Sequence, residues 1–142
     1  MNSPLIKSTN ITLAVMALIA WAVVTYWAFW PYIPLELYSV KVVNEEPIIP
    51  GEMLIYELDF EKKMKLPTVI NRQLVNGFVI TYSPLYANLA VGKKIVKSKI
   101  KIPNSAEPGK YRLKWQAHYK VNPIREIVMG DFSNEFIIAS SE

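Results

Sequence analysis

The sequence predicts an all-β domain, a sandwich of seven short strands, preceded by one N-terminal transmembrane α-helix. Three observations predict it. Residues 11–30, ITLAVMALIAWAVVTYWAFW, run for twenty positions without a charge. After Pro31 the apolar side chains recur with period 2 rather than 3.6. Turn dipeptides, among them Pro50-Gly51, Asn76-Gly77 and Asn122-Pro123, cut that remainder into short pieces. The chain beyond the helix is long enough for one domain with its own core and too short for two.

At about 1.5 Å of rise per residue the uncharged run is about 30 Å long, the thickness of a bilayer's hydrocarbon core. Its polar side chains are Thr12, Thr25 and Tyr26, and a helix hides threonine hydroxyls against its own carbonyls. The flank 1–10 carries Lys7 and no acid, whereas the segment after the run sets Lys41 against Glu36, Glu45 and Glu46. That bias puts the N-terminus in the cytoplasm and the domain on the periplasmic or extracellular side, most simply of a bacterial inner membrane. Tyr26, Trp27, Trp30 and Tyr32 cluster at the trailing end as interface anchors. Ala20-Trp21-Ala22 has the form of a signal-peptide cleavage site, but the apolar run continues well past it, which favours a retained anchor. Residues 31–35, with Pro31 and Pro34, form a short stiff tether that keeps the domain, residues 36–142, close to the bilayer.

Residues 35–43 read as the first strand. Pro50-Gly51 turns into 53–60, where Leu54, Tyr56, Leu58 and Phe60 share one face and Glu57 and Asp59, followed by Glu61, take the other. A weaker strand, 68–75, closes at Asn76-Gly77, a strong hairpin signal, and 78–82 returns. Residues 85–92 lack a period and read as a connection crossing between sheets. In 94–102, Val96, Ser98, Ile100 and Ile102 face inward and Lys97, Lys99 and Lys101 outward. In 110–121, Tyr111, Leu113, Trp115, Ala117, Tyr119 and Val121 alternate with Arg112, Lys114, Gln116, His118 and Lys120. The last stretch, 124–138, is interrupted at Gly130-Asp131 by a bulge or wide bend.

Glu107-Pro108-Gly109-Lys110-Tyr111-Arg112-Leu113 resembles the D-x-G-x-Y-x-C stretch of immunoglobulin domains, with Glu for Asp and Leu113 in place of the second cysteine. The resemblance implies an Ig-like or fibronectin-III-like sandwich in which Tyr111 makes the tyrosine corner. It departs from antibody domains in having no cysteine pair and no Trp on the third strand, where Ile70 or Leu74 fills the core. The architecture is similar to small anchored proteins of bacteria and tailed phages. In such sandwiches the second and fifth strands pair antiparallel, which would set Glu57, Asp59 and Glu61 opposite Lys101, Lys99 and Lys97.

Composition excludes several functions. There is no cysteine, so no disulfide framework and no thiolate chemistry. Fifteen of the sixteen Lys and Arg and all twelve acids lie after Pro31, an excess of three cations, far from a nucleic-acid footprint. His118 stands alone on a polar strand face without a nucleophile motif, and reads as a solvated surface imidazole. One histidine without cysteine is a poor metal set, and the glycines do not form a phosphate loop, so no cofactor is expected.

What remains is a surface. Arg112, Lys114, His118 and Lys120 share one face, with Arg72 and Arg125 as flanking cations, a basic patch suited to anionic lipid headgroups, acidic glycans or an acidic protein. Tyr86 and Asn88 lie in the unpatterned connection, where binding residues concentrate. The expected function is therefore a non-enzymatic, membrane-anchored interaction module whose partners are the bilayer, through residues 11–30, and a nearby protein or envelope component. An accessory structural subunit of a larger membrane or virion assembly is the alternative, and an envelope-glycan hydrolase a weaker one, since paired carboxylates meet only in three dimensions.

Overall fold

The computed structural model describes residues 4–30, 33–45 and 47–140, so the predicted anchor Tyr32 and the tether residue Pro31 lie outside the described residues. Two compact units emerge. One holds the N-terminal segment with residues 122–125, the other residues 33–121 with 126–142.

In the first unit, α1 spans Pro4–Ala28. It begins inside the predicted flank because Pro4 is preorganised for a first helical position, and it ends two residues before Trp30. Its stretch Thr9–Ala28 is long and apolar enough to cross a membrane, and none of it is buried. Thr25 Oγ1 donates to Trp21 O at 2.8 Å, so this hydroxyl is satisfied within the helix. The last carbonyls, which no helical N–H can reach, accept from side chains of the 122–125 turn. Asn122 Nδ2 donates to Trp27 O (2.9 Å), and Arg125 Nη1 to Ala28 O (3.2 Å) and Trp30 O (2.6 Å).

The second unit is a two-sheet sandwich of nine strands rather than seven. They are β1 (Leu35–Val42), β2 (Met53–Lys62), β3 (Thr68–Asn76), β4 (Phe78–Thr81), β5 (Leu85–Ala87), β6 (Gly92–Lys101), β7 (Gly109–Asn122), β8 (Arg125–Phe132) and β9 (Phe136–Ile138). One sheet is ordered β1-β2-β6. The other is ordered β4-β3-β7-β8, with β5 paired to β3 and β9 to β7. Leu35 already belongs to β1, so the tether is shorter than predicted.

Two strands were missed for identifiable reasons. Residues 85–87 pair with β3 for three positions before the chain crosses to β6, too briefly to establish a period. The final stretch breaks at Ser133, not at Gly130, because side chains replace the ladder there. Ser133 Oγ accepts from Leu113 N (2.9 Å), while Asn134 Oδ1 accepts from Val42 N (2.7 Å), tying this corner to β1.

The core lies between the sheets. Trp115, Tyr119, Leu113, Tyr56, Phe60 and Leu54 are buried from the alternating strands, and both Ile70 and Leu74 occupy the place of the missing tryptophan. At about 25 cal/mol per Å², each large buried side chain contributes about 1.5–3 kcal/mol. Tyr111, also buried, donates its hydroxyl to Glu107 O at 2.9 Å, the bond that defines a tyrosine corner.

β2 and β6 pair antiparallel, but four residues out of the expected register. Glu57 faces Lys97, Glu61 faces Lys93, Asp59 faces Ile95, and Lys99 and Lys101 face Ile55 and Met53. A shift of four preserves which side chains point inward. Exposed ion pairs contribute too little to override the fit of Leu54 against Ile100 and Leu58 against Val96.

Candidate functional site

The outer face of the larger sheet gathers most of the residues singled out in the sequence. Arg112, Lys114, His118 and Lys120 alternate outward along β7. Cross-strand pairing with β3 places Val75 beside Arg112, Gln73 beside Lys114 and Val69 beside His118. β5 extends the last of these rows, since Tyr86 also pairs with Val69. Tyr86 and His118, thirty-two positions apart in the chain, thus lie on one face with a single residue between them. Neither local period nor charge pattern carries that pairing, because it depends on the short strand β5.

Exposed apolar groups punctuate the cations. Tyr86 is 80% exposed, Val79 57%, Val128 46% and Phe132 45%. Lys114 Nζ stands 5.9 Å from the Phe132 ring centroid, within cation–π range. The face therefore combines positive charge with aromatic and aliphatic surface, the mixture that protein interfaces favour.

Three sequence expectations are corrected here. Arg72 is not on this face: it pairs with Trp115 on the inner side, and its Nη2 donates to Ser83 O at 3.4 Å. Arg125 does not flank the patch as a free cation, because it is engaged with the carbonyls of Ala28 and Trp30. His118 is not a solvated imidazole. Its side chain is 24% exposed, with Nδ1 2.9 Å from Glu126 Oε1 and Nε2 3.0 Å from Asn71 Nδ2. The Glu126 carboxylate accepts, so Nδ1 carries a hydrogen and donates to it, while Nε2 faces the Asn71 side-chain amide. Both ring nitrogens are occupied, and among the described residues no serine shares them.

Sequence reasoning missed Glu126 and Asn71. Glu126 was legible in principle, because reflecting His118 across the Asn122-Pro123 turn lands on it. Asn71 required knowing which strand lies beside β7.

Two shallow clefts flank the sheet. One, about 160 Å³, is lined by Pro67, Thr68, Tyr86, Ala87 and Asn88, so the two predicted loop residues share it. The other, about 190 Å³, is lined by Phe78, Ile80, Ser105, Glu107 and Tyr111. Neither holds two carboxylates, and Glu57 and Asp59 lie instead on the outer side of the smaller sheet, with Glu57 paired to Lys97 at 4.0 Å. Among the described residues no group of three His, Cys, Asp or Glu is placed to hold a metal.

Lys62 continues the inward parity of β2 and is almost wholly buried. Its Nζ donates to Leu66 O at 2.8 Å and stands 5.8 Å from the Tyr119 ring centroid. Burial holds its ammonium below the ordinary lysine range.

No protein-family model matches this chain, and no curated protein sequence matches it. Solved structures do. A Niemann-Pick type C2 protein from the Japanese carpenter ant aligns over 75% of this chain and 94% of its own, at TM-score 0.51 and 9% identity. The CARDB domain of a Pyrococcus furiosus protein, solved in complex with di-metal ions, aligns over 77% of this chain and 96% of its own, at TM-score 0.41 and 13% identity. At that identity the ant protein shares the two-sheet fold and nothing finer.

Proposed function

We propose that this chain is a non-enzymatic interaction module, a β-sandwich held at a membrane by α1, which binds an acidic protein or envelope component through the outer face of its larger sheet. The observation that carries the reading is that Tyr86, Arg112, Lys114, Lys120 and Phe132 share that face. Supporting it, Thr9–Ala28 is long enough to span a bilayer, and Leu35 begins the sandwich a few residues later. The flanking charges favour a cytoplasmic N-terminus and a domain on the outer side, as in a single-pass protein. The engagement of both His118 nitrogens supports a binding role over a catalytic one.

A photo-crosslinking residue at Tyr86, in the full chain in native membranes, tests this. A discrete adduct at Tyr86, absent when the crosslinker replaces Ile95 on the other sheet, is the expected result. Adducts only from positions within α1 would replace the reading with that of a structural subunit packed through its helix. Equal, diffuse labelling at both sheets would overturn the proposed face.

A further inference from the structure

We propose that the end of the sandwich where the chain enters docks on an anionic phospholipid surface through Lys63, Lys65, Lys93 and Lys94. This rests on the membrane-anchored reading above.

Strand register defines the end. Leu35 pairs with Lys62, and Lys62 with Gly92, so the start of β1, the end of β2 and the start of β6 lie side by side. The loop after β2 is fastened to the entering chain, since Lys63 N (2.9 Å) and Met64 N (3.4 Å) both donate to Pro34 O. Lys63 and Lys65 are exposed on that loop, and Lys93 and Lys94 are exposed beside it. Val91, 52% exposed, adds an apolar tip.

The charge is polarised between the two ends. The segments 63–67 and 88–94 carry four lysines and no acid. At the opposite end, the segments 43–52 and 102–109 carry acids, Glu45, Glu52 and Glu107 among them, and no cation. The acids nearest the basic end, Glu36 and Glu61, are already held. Tyr38 OH lies between them, 2.8 Å from Glu61 and 3.1 Å from Glu36, with one hydrogen to donate, and Glu36 also pairs with Lys63 at 2.7 Å. Lys65 and Lys94 meet no carboxylate among the described residues. A strand end kept basic only for solubility has no reason to be opposed by an acidic one.

Covalent reach selects the occupant. Residues 31–34 separate Trp30 from β1, and the five Cα–Cα steps from Trp30 to Leu35 extend at most about 18 Å. A tether of that length, at anything short of full extension, lets the lysines reach the surface potential of anionic lipids, which fades over a Debye length of about 8–10 Å. An acidic protein has no comparable guarantee of proximity.

The chain lacks cysteine, so single spin labels are clean. The full chain would carry a label at Val91→Cys, or at Ser105→Cys on the opposite end, in nanodiscs of phosphatidylcholine with or without phosphatidylglycerol. Accessibility of the Val91 site to a water-soluble nickel chelate is expected to fall on the order of tenfold with the anionic lipid and to recover in high salt. The Ser105 site is expected to stay unchanged. Replacing the four lysines by Gln abolishes the fall, whereas replacing them by Arg preserves it, which separates lost charge from lost folding. Equal accessibility in both lipids, or a fall that salt does not reverse, overturns the proposal while leaving the anchor intact. A chain that fails to enter either nanodisc overturns the anchored reading and this inference with it.

Discussion

Two tyrosines on the inner face of β7 offer the sharpest test of how this core is held. Tyr111 and Tyr119 are both buried, but only the first has its hydroxyl satisfied. Tyr111→Phe keeps the ring against Phe136, at 6.3 Å between centroids, and removes the donor to Glu107 O. Glu107 is exposed, so its carbonyl regains water and the loss is an ordinary hydrogen bond, about 1 kcal/mol. Among the described residues the Tyr119 hydroxyl is buried without a partner in hydrogen-bond geometry; burial raises its pKa, and the Thr68 hydroxyl opposes that shift. Tyr119→Phe removes an unsatisfied group and is expected to stabilise by about 1 kcal/mol. The same chemical change thus moves stability in opposite directions, a separation of about 2 kcal/mol, or roughly thirtyfold in the unfolding constant. Three of the four tryptophans lie in residues 21–30, so pulse proteolysis across a urea series in mild detergent reports the sandwich better than fluorescence does. The slope with urea is expected to stay constant. Equal destabilisation by both substitutions would refute the reasoning, because it would mean Tyr119 has a partner as good as that of Tyr111.

Gly130→Ala should cost about 1–3 kcal/mol in the same assay, since the added methyl would collide with the backbone oxygen of Trp115 in the neighbouring strand. A double-mutant cycle on Glu57 and Lys97 should return no more than about 0.5 kcal/mol, and one on Glu57 and Lys101 nothing measurable, because the register sets Lys101 opposite Met53. Burial pushes the Tyr82 phenol, which donates to Lys101 O at 3.0 Å, from 10.0 up to about 12. The unfolded phenol ionises first, so this stabilisation is full below pH 10 and lost as pH rises to about 12, and Tyr82→Phe should flatten that loss in a pH series of unfolding midpoints.

Much of the fold was legible because its signals are local. Alternation along 53–60 and 110–121 assigned the faces of β2 and β7, since neighbouring side chains on a strand must point opposite ways. The stretch from Glu107 to Leu113 marked Tyr111 because its hydroxyl bonds only four residues back. Arg72 was also legible, and misplaced: it shares parity with Ile70 and Leu74, both assigned to the core, so it could not share a face with Arg112. The β5 pairing and the Asn134 contact with Val42 were beyond reach, because each joins segments that nothing nearby in the chain connects.

The sequence alone determined the division of the chain: an uncharged stretch of helix length, then alternating strands with an inside and an outside. Those properties come from hydropathy and backbone geometry, which each short segment carries by itself. Only the tertiary structure decided which strands are neighbours, where β2 and β6 align, and that Tyr86 reaches the row of His118. Register and adjacency come from the packing of interior side chains summed over a whole sheet, and that sum exceeds what any single pair of surface charges contributes.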